Sequence, residues 1–117
     1  MLVADVMIPD VPAVSPGCLM REALMTMRRL GVHHLVVLDD GRIVGVISDR
    51  DTGGADARVC DTMSEPAITA SPTMTVQEAA DLMAENDVGC LPVIQDGRPV
   101  GVVDARDLLH ALSRGVS

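Results

Sequence analysis

The chain has 117 residues, 48% of them apolar, and a formal net charge of −8. A chain of this length and apolar content folds into a compact unit. No apolar run approaches the roughly 18 residues needed to cross a bilayer, so we expect no membrane span. The acidic balance argues against a nucleic-acid backbone or an anionic membrane as partner. Phe, Tyr and Trp are absent, so no aromatic ring can stack on a base.

The cysteines indicate a reducing environment. Cys18, Cys60 and Cys90 are odd in number and show no spacing typical of a disulfide framework. Reduced thiols are characteristic of cytoplasmic proteins. We therefore predict a cytoplasmic location.

The chain is an internal duplication. Residues 3–52 align with residues 59–108 without a gap, and 19 of the 50 pairs are identical, where chance gives roughly three or four. Each half is too small to stand alone, so the two halves are expected to pack face to face about a pseudo-two-fold axis. The whole chain, 1–117, is thus predicted to be one module, with repeat one at 3–52, a linker at 53–58 and repeat two at 59–112.

Each repeat begins with a short lead-in and an extended stretch that ends at Ser-Pro, and a helix follows. In repeat two, Thr75 and Glu78 have the spacing of a capping box at the helix start. In repeat one Leu19 holds the cap position, so that helix lacks a side-chain cap, and Gly31 marks its end.

A hairpin and a second helix complete each repeat. The turns are Asp39-Asp40-Gly41 and Gln95-Asp96-Gly97, because Asp-Gly between β-branched runs is a strong hairpin signal. After Asp107 the apolar pattern predicts a helix of about two turns, whereas Gly53-Gly54 should stop the equivalent helix after Asp51 within a turn. The order β-α-β-β-α, twice, predicts a mixed α+β fold.

The sequence GVISDRD, Gly45 to Asp51, returns as GVVDARD, Gly101 to Asp107. Each copy predicts an apolar strand that runs into a polar turn. Such a turn gathers backbone N–H groups, a hydroxyl and a carboxylate, which suit a phosphate and the two hydroxyls of a ribose. Ser48-x-x-Asp51 and Asp104-x-x-Asp107 are also simple helix-cap patterns. We favour the cap for Asp104 and Asp107, which precede a real helix, and the ligand for Ser48 and Asp51.

Taken in order, these features resemble a pair of CBS domains, the Bateman module of adenosine-ligand sensors. The resemblance rests on the Asp-Val-Met lead-in, Ser-Pro, the Glu-Ala helix, Cys90-Leu91-Pro92-Val93, the Asp-Gly-Arg hairpin and Gly-x-x-Ser-x-x-Asp, all duplicated. It implies a regulatory module that forms homodimers and binds ligand in two clefts between the repeats.

The resemblance also implies the residues of each cleft. In the first, Asp51 would hold the ribose, Ser48 and His33 the phosphate, and Val46 the base or sugar. The opposite wall there would be formed by Met63, Ile68, Val88 and Gly89. The second cleft would use Asp107, Asp104, Val102, Met7, Pro12 and Val32, with His33 also on its far wall.

Two departures from the family pattern affect these expectations. Asp104 stands where the pattern has Ser or Thr, and its charge should disfavour phosphate in the second cleft. That cleft would then take adenosine without phosphate, or stay empty. Val36 replaces the proline found at Pro92, which affects the expected strand geometry in repeat one.

Other site classes find little support in the sequence. No P-loop, nucleophile elbow or HExxH motif is present, so we predict no enzyme and no catalytic residue. His33 and His34 are adjacent in a strand and point to opposite faces, so they cannot together bind one ion, and no metal site is predicted.

The leading hypothesis is a sensor of AMP, ATP or S-adenosylmethionine, with no required cofactor and an unknown regulated protein. The alternative is a ligand-free dimerisation or scaffold module with vestigial clefts. A third hypothesis is metal- or redox-linked sensing through Cys90 and His34.

Overall fold

The structure is a computed structural model that describes residues 1–51, 53–54 and 56–114. It confirms the mixed α+β class. The elements in chain order are α1 (Val3–Val6), β1 (Ala13–Val14), α2 (Met20–Leu30), β2 (His34–Asp39), β3 (Arg42–Ser48), α3 (Val59–Thr62), α4 (Val76–Asn86), β4 (Cys90–Gln95), β5 (Arg98–Asp104) and α5 (Ala105–Ser113). Within the described ranges, no helix has the length and apolarity that a bilayer crossing requires.

The chain forms two compact units that cut across the sequence repeats. One unit is Pro12–Ala67, which we call the Asp51 unit. The other combines Met1–Val11 with the chain from Ile68 onward, and we call it the Asp107 unit. Each lead-in therefore belongs to the unit built mainly from the other repeat.

Backbone hydrogen bonds hold the first lead-in within the Asp107 unit. The Val3 N–H donates to the Met74 carbonyl at 2.8 Å, and Ile8 and Val102 exchange two hydrogen bonds of 2.8 and 3.0 Å. Val3 is completely buried, at 0% exposure. The lead-in is thus part of the core of this unit.

The second lead-in is held in the Asp51 unit in the same way. The Val59 N–H donates to the Cys18 carbonyl at 2.8 Å, and Val46 and Ser64 exchange hydrogen bonds of 3.2 and 2.9 Å. Val59 is also 0% exposed. Each repeat thus contributes its lead-in to the unit that is built mainly from the other repeat.

In the Asp51 unit, β2 lies at the centre of a three-stranded sheet, parallel to β1 and antiparallel to β3. The β2–β3 turn has positive φ at Asp40 (51°) and Gly41 (77°), which is the geometry of a tight hairpin turn. The core beneath the sheet consists of Met20, Ala23, Met27, Leu35, Val37, Ile47 and Val59.

In the Asp107 unit, β4 and β5 form an antiparallel pair. Asp96 and Gly97 repeat the turn, with φ of 52° and 76°. Where β1 lies in the other unit, Ala70 makes a single parallel bridge to Val93. The core consists of Val3, Ala70, Val76, Ala79, Met83, Leu91, Val93, Val103, Leu108 and Ala111.

The helix ends follow the local sequence. The Thr75 hydroxyl accepts from the Glu78 N–H at 3.0 Å, and the Glu78 carboxylate accepts from the Thr75 N–H at 3.2 Å, which confirms the capping box. Leu19 provides no side-chain cap, and Gly31 ends α2 in the left-handed conformation with φ of 70°. These three predictions are confirmed.

The two closing segments also differ. α5 has nine residues and starts directly at the end of β5. Between Ser48 and Val59 no helix or strand occurs among the residues that the structure describes, in keeping with the expected stop at Gly53-Gly54. Thr52, the residue after Asp51, lies outside the described residues.

Candidate functional site

The end of β3 places a hydroxyl and a carboxylate side by side. The Ser48 N–H donates to Asp51 Oδ2 at 2.8 Å, and the Arg50 N–H donates to Ser48 Oγ at 3.2 Å. The Asp51 N–H closes the turn on the Ser48 carbonyl at 3.1 Å. One bond to Oδ2 leaves most of the lone-pair capacity of the carboxylate for other donors, such as a pair of neighbouring hydroxyls. We call this turn the Asp51 junction.

The end of β5 repeats the turn with a second acid. The Asp104 N–H donates to Asp107 Oδ2 at 3.3 Å, and Asp104 Oδ1 accepts from the Arg106 N–H at 2.7 Å. This Asp107 junction caps α5, as the sequence indicated. The Asp51 junction has the same hydrogen bonds with no helix after it among the described residues.

The predicted phosphate contact His33 is bound to a neighbouring acid. His33 Nδ1 lies 2.7 Å from Asp49 Oδ2, and the two side chains are 46% and 44% exposed. This hydrogen bond is the main reason that the pKa of the Asp49 carboxyl lies below its ordinary value. Asp49 is not among the site residues predicted from the sequence. Its signal was the hairpin register, which pairs His34 with Ser48 and so brings the next residues, His33 and Asp49, together.

Met63 lies in the same unit as Ser48 and Asp51, although the resemblance assigned it to an opposite wall. It packs on Gly45 of β3, where an added Cβ would come within 2.7 Å of the Met63 sulfur. The adjacent Val46 is bonded through its backbone to Ser64, directly after Met63. The exchanged lead-in thus lies along the edge of β3 that β2 leaves free, and the junction follows at the end of the same strand.

The Asp107 unit has the equivalent arrangement. A Cβ at Gly101 would lie 2.9 Å from the Met7 sulfur and 2.7 Å from the Ile8 carbonyl oxygen. Val102 is the backbone partner of Ile8. Each unit therefore has its own valine on one strand, its own acid just after that strand, and its own methionine on the lead-in that is bonded to the strand.

The remaining predicted wall residues lie outside these two sets. Ile68, Val88 and Gly89 are in the Asp107 unit, whereas Pro12 and Val32 are in the Asp51 unit. Gly89 also has a local structural role, because its carbonyl accepts from the Ala105 N–H at 2.9 Å at the start of α5. Ligand contact by these five residues stays a prediction.

Burial raises the pKa values of two groups at the Asp107 junction, the Cys90 thiol and the Asp107 carboxyl. Burial, followed by the charges of Asp104 and Asp107, raises the pKa of the Cys90 thiol to about 12. Burial also raises the pKa of Asp107 above its ordinary value. Cys90 is therefore a neutral thiol at physiological pH. In the described part of the chain, no three His, Cys, Asp or Glu side chains are grouped so as to hold a metal ion.

The sequence model of the CBS domain family matches residues 3–52 and 59–114. The CBS domain-containing protein YhcV of Bacillus subtilis is 31% identical over 114 residues, which cover 91% of this chain and 81% of that protein. The inosine-5′-monophosphate dehydrogenase of Korarchaeum cryptofilum is 36% identical over 107 residues. The chain spans only 22% of that enzyme's length.

Solved structures share the fold. The structure of CBSX2 in complex with AMP has a TM-score of 0.82 at 26% identity and covers 99% of this chain and 98% of that one. The cytosolic domain of the Mg²⁺ channel MgtE in complex with ATP has a TM-score of 0.76 at 32% identity and covers 91% of this chain and 46% of that one. Since both halves match the family and the fold is that of its solved members, the chain belongs to the CBS domain family and carries two CBS repeats.

Proposed function

We propose that this chain is a non-catalytic regulatory module that binds an adenosine-containing ligand such as AMP or ATP, mainly at the Asp51 junction. The observation that carries the proposal is the closed turn at the end of β3, in which the Asp51 carboxylate accepts from the Ser48 N–H and the Ser48 hydroxyl oxygen accepts from the Arg50 N–H. With no helix to cap among the described residues, the turn presents both groups for a ligand. The AMP and ATP complexes of the two similar proteins support this choice of ligand.

Each group at the Asp51 junction has a proposed role. Asp51 accepts hydrogen bonds from the ribose hydroxyls, and Ser48 donates to a phosphate oxygen. Val46 and Met63 provide apolar contact for the base or sugar. His33 bonds Asp49 through Nδ1, so Nε2, the other ring nitrogen, is the group that would donate to a phosphate oxygen.

The family resemblance also assigns residues to the opposite wall of each cleft. Ile68, Val88 and Gly89 would complete the first cleft, and Pro12 and Val32 the second.

The Asp107 junction is proposed as the weaker site, formed by Asp107, Asp104, Val102 and Met7. A phosphate about 4 Å from the Asp104 carboxylate would be repelled by about 1 kcal/mol in water and about 4 kcal/mol near a protein surface. We therefore assign this site to ligands without phosphate, such as adenosine or S-adenosylmethionine.

Ligand binding would regulate a partner by changing how much of the protein adopts each of its possible conformations. A ligand that binds one arrangement of the two units better than another shifts the chain toward that arrangement, and a partner protein responds to the shift. A homodimer, a cytoplasmic location and an unknown regulated protein complete the proposal. The competing function is a scaffold whose junctions hold no ligand, and it is favoured by the Asp104 carboxylate at the Asp107 junction.

Calorimetric titration with adenosine, AMP, ATP and S-adenosylmethionine tests the proposal. Asp51→Asn keeps an acceptor for the Ser48 N–H but removes the charge. At about 1.5–3 kcal/mol for a charged hydrogen bond, we expect affinity to fall about 10- to 100-fold. Asp56→Asn, an exposed acid in the linker, is the matched control and should bind like the wild type.

Two results would reject the proposal. No binding of any of the four compounds by the wild type would leave the scaffold as the function. Equal affinity in the wild type and Asp51→Asn would remove Asp51 from the site.

A further inference from the structure

The pair of His33 and Asp49 occurs at one of the two junctions and has no counterpart at the other. At the Asp51 junction the His33 carbonyl accepts from the Asp49 N–H at 3.0 Å, and the two side chains meet at 2.7 Å. At the Asp107 junction the same backbone bond, 2.9 Å long, joins Gly89 and Ala105. Neither of those residues has a side chain that can bind a proton. The duplication has thus kept the backbone and changed the chemistry.

A second difference between the junctions has the same direction. Ser48 offers a hydroxyl at the position where Asp104 offers a carboxylate. A hydroxyl can donate to a phosphate oxygen, whereas a carboxylate repels it. The two differences together favour a phosphate at the Asp51 junction and disfavour one at the Asp107 junction.

Asp49 determines which ring nitrogen of His33 carries the proton. An ionised carboxylate can only accept hydrogen bonds, so His33 Nδ1 is the donor across the 2.7 Å contact. The pKa of Asp49 is lowered, mainly by this bond, and the carboxyl is therefore ionised near neutral pH. A neutral imidazole with its proton on Nδ1 has a lone pair on Nε2, which accepts. Nε2 can donate to a phosphate only after the ring has taken up a second proton.

The charged groups around the pair act on that second proton in opposite directions. The basic groups that closely precede or follow the pair in the chain are Arg28, Arg29, His34 and Arg50. Their positive charges repel an added proton, whereas the carboxylates of Asp49 and Asp51 attract it. A bound phosphate adds further negative charge and so shifts this balance toward the protonated ring.

We propose that Asp49 is a positioning residue that couples phosphate binding at the Asp51 junction to the uptake of one proton by His33. The inference rests on the proposed function, because the phosphate is that of the adenosine ligand. The proton comes from solution and lies between Nε2 and a phosphate oxygen, while Nδ1–H stays on Asp49. A ligand without phosphate binds with no such uptake. The junction therefore prefers AMP over adenosine more strongly as the pH falls toward neutral.

The position of the proton on His33 can be measured without any ligand. At about pH 8, where an ordinary imidazole is neutral, nitrogen NMR of the free wild type should show a proton on Nδ1 and a lone pair on Nε2. Added AMP should protonate both nitrogens. In Asp49→Asn the side-chain amide can donate to Nδ1, so part of the free protein should carry the proton on Nε2 instead. A free wild type with its proton on Nε2 overturns the proposal.

Calorimetric titration at the same pH, in buffers of different ionisation enthalpy, counts the protons taken up with each ligand. We expect about one proton per AMP in the wild type, which corresponds to a rise in AMP affinity of at most about tenfold per unit fall in pH. Uptake should be close to zero with adenosine, and with AMP in His33→Asn. Asp49→Asn should lose most of the uptake, because a ring with its proton on Nε2 donates without a second one. His110→Asn, at an exposed histidine of α5, is the matched control and should keep the uptake of the wild type.

The outcomes separate this inference from the proposed function. AMP that binds the wild type with no proton uptake overturns the inference and leaves the proposed function standing. Equal uptake in the wild type and Asp49→Asn also overturns it, because Asp49 would then not control the proton. A wild type that binds neither AMP nor adenosine rejects the proposed function, and this inference with it.

Discussion

Replacing Gly45 by alanine should destabilise the Asp51 unit and weaken its junction. The new Cβ would lie 2.7 Å from the Met63 sulfur and 2.9 Å from the Ser64 carbonyl oxygen. A flexible methionine can move aside, but a backbone carbonyl cannot do so freely, because Ser64 is bonded to Val46 at 3.2 and 2.9 Å. Overpacking of this kind costs about 1–3 kcal/mol of unfolding free energy.

A double variant separates the two contacts. Met63→Ala in the Gly45→Ala background removes the sulfur contact and leaves the one with Ser64. The two substitutions should therefore be non-additive, with the double variant losing less stability than the sum of the single ones. Gly17→Ala is the control, since a Cβ there meets nothing within 4 Å, and its effect should stay within about 0.5 kcal/mol.

Urea unfolding followed by far-UV circular dichroism gives these free energies, because the chain has no aromatic residue for intrinsic fluorescence. At roughly 4 °C per kcal/mol, thermal unfolding should show the same order. A Gly45→Ala protein as stable as Gly17→Ala would refute the reasoning. It would mean that the lead-in does not lie against β3 as closely as the contacts at Gly45 indicate.

Three further predictions follow from local chemistry. Thr75→Ala removes the cap of α4 and should cost about 1 kcal/mol in urea unfolding, whereas a neutral effect would contradict the cap. Replacing His33 by asparagine should raise the pKa of Asp49, measured by NMR titration, toward its ordinary value. The stability that Asp49 adds is present above its unfolded-state pKa and lost as the pH falls through the lowered folded value, so this acid-side loss should shrink in His33→Asn. Iodoacetamide at neutral pH should modify exposed Cys60 and spare Cys90 until the chain unfolds, as peptide mass spectrometry would show.

Features set by neighbouring residues were predictable from the sequence. The turns at Asp40-Gly41 and Asp96-Gly97 need positive φ, which these residue types tolerate. The presence of a cap at Thr75 and its lack at Leu19 depend on one side chain each. The duplication revealed the order of elements, because two aligned copies of a pattern are more informative than one.

Features set by distant residues were not predictable. Ile8 is hydrogen-bonded to Val102, and Ser64 to Val46, through backbone groups. Every residue type carries nearly the same backbone groups, so the pattern of side chains does not indicate which of them pair. The family resemblance assigned Met63 to the opposite wall of the first cleft, and the structure places it beside β3 in the Asp51 unit. The His33–Asp49 pair was accessible in principle from the hairpin register, but it required the exact strand pairing.

The exchanged lead-ins determine how the protein can be divided. Expression of residues 1–54 alone would leave the Met20 and Ala23 core without Val59, and residues 57–114 alone would leave the α4 core without Val3. Pro12–Ala67, by contrast, is a continuous stretch that contains every backbone segment of its unit. The other unit consists of two segments that are separate in the sequence. To express it alone as one chain, the end of α5 would have to be joined to Met1 in a circular permutant.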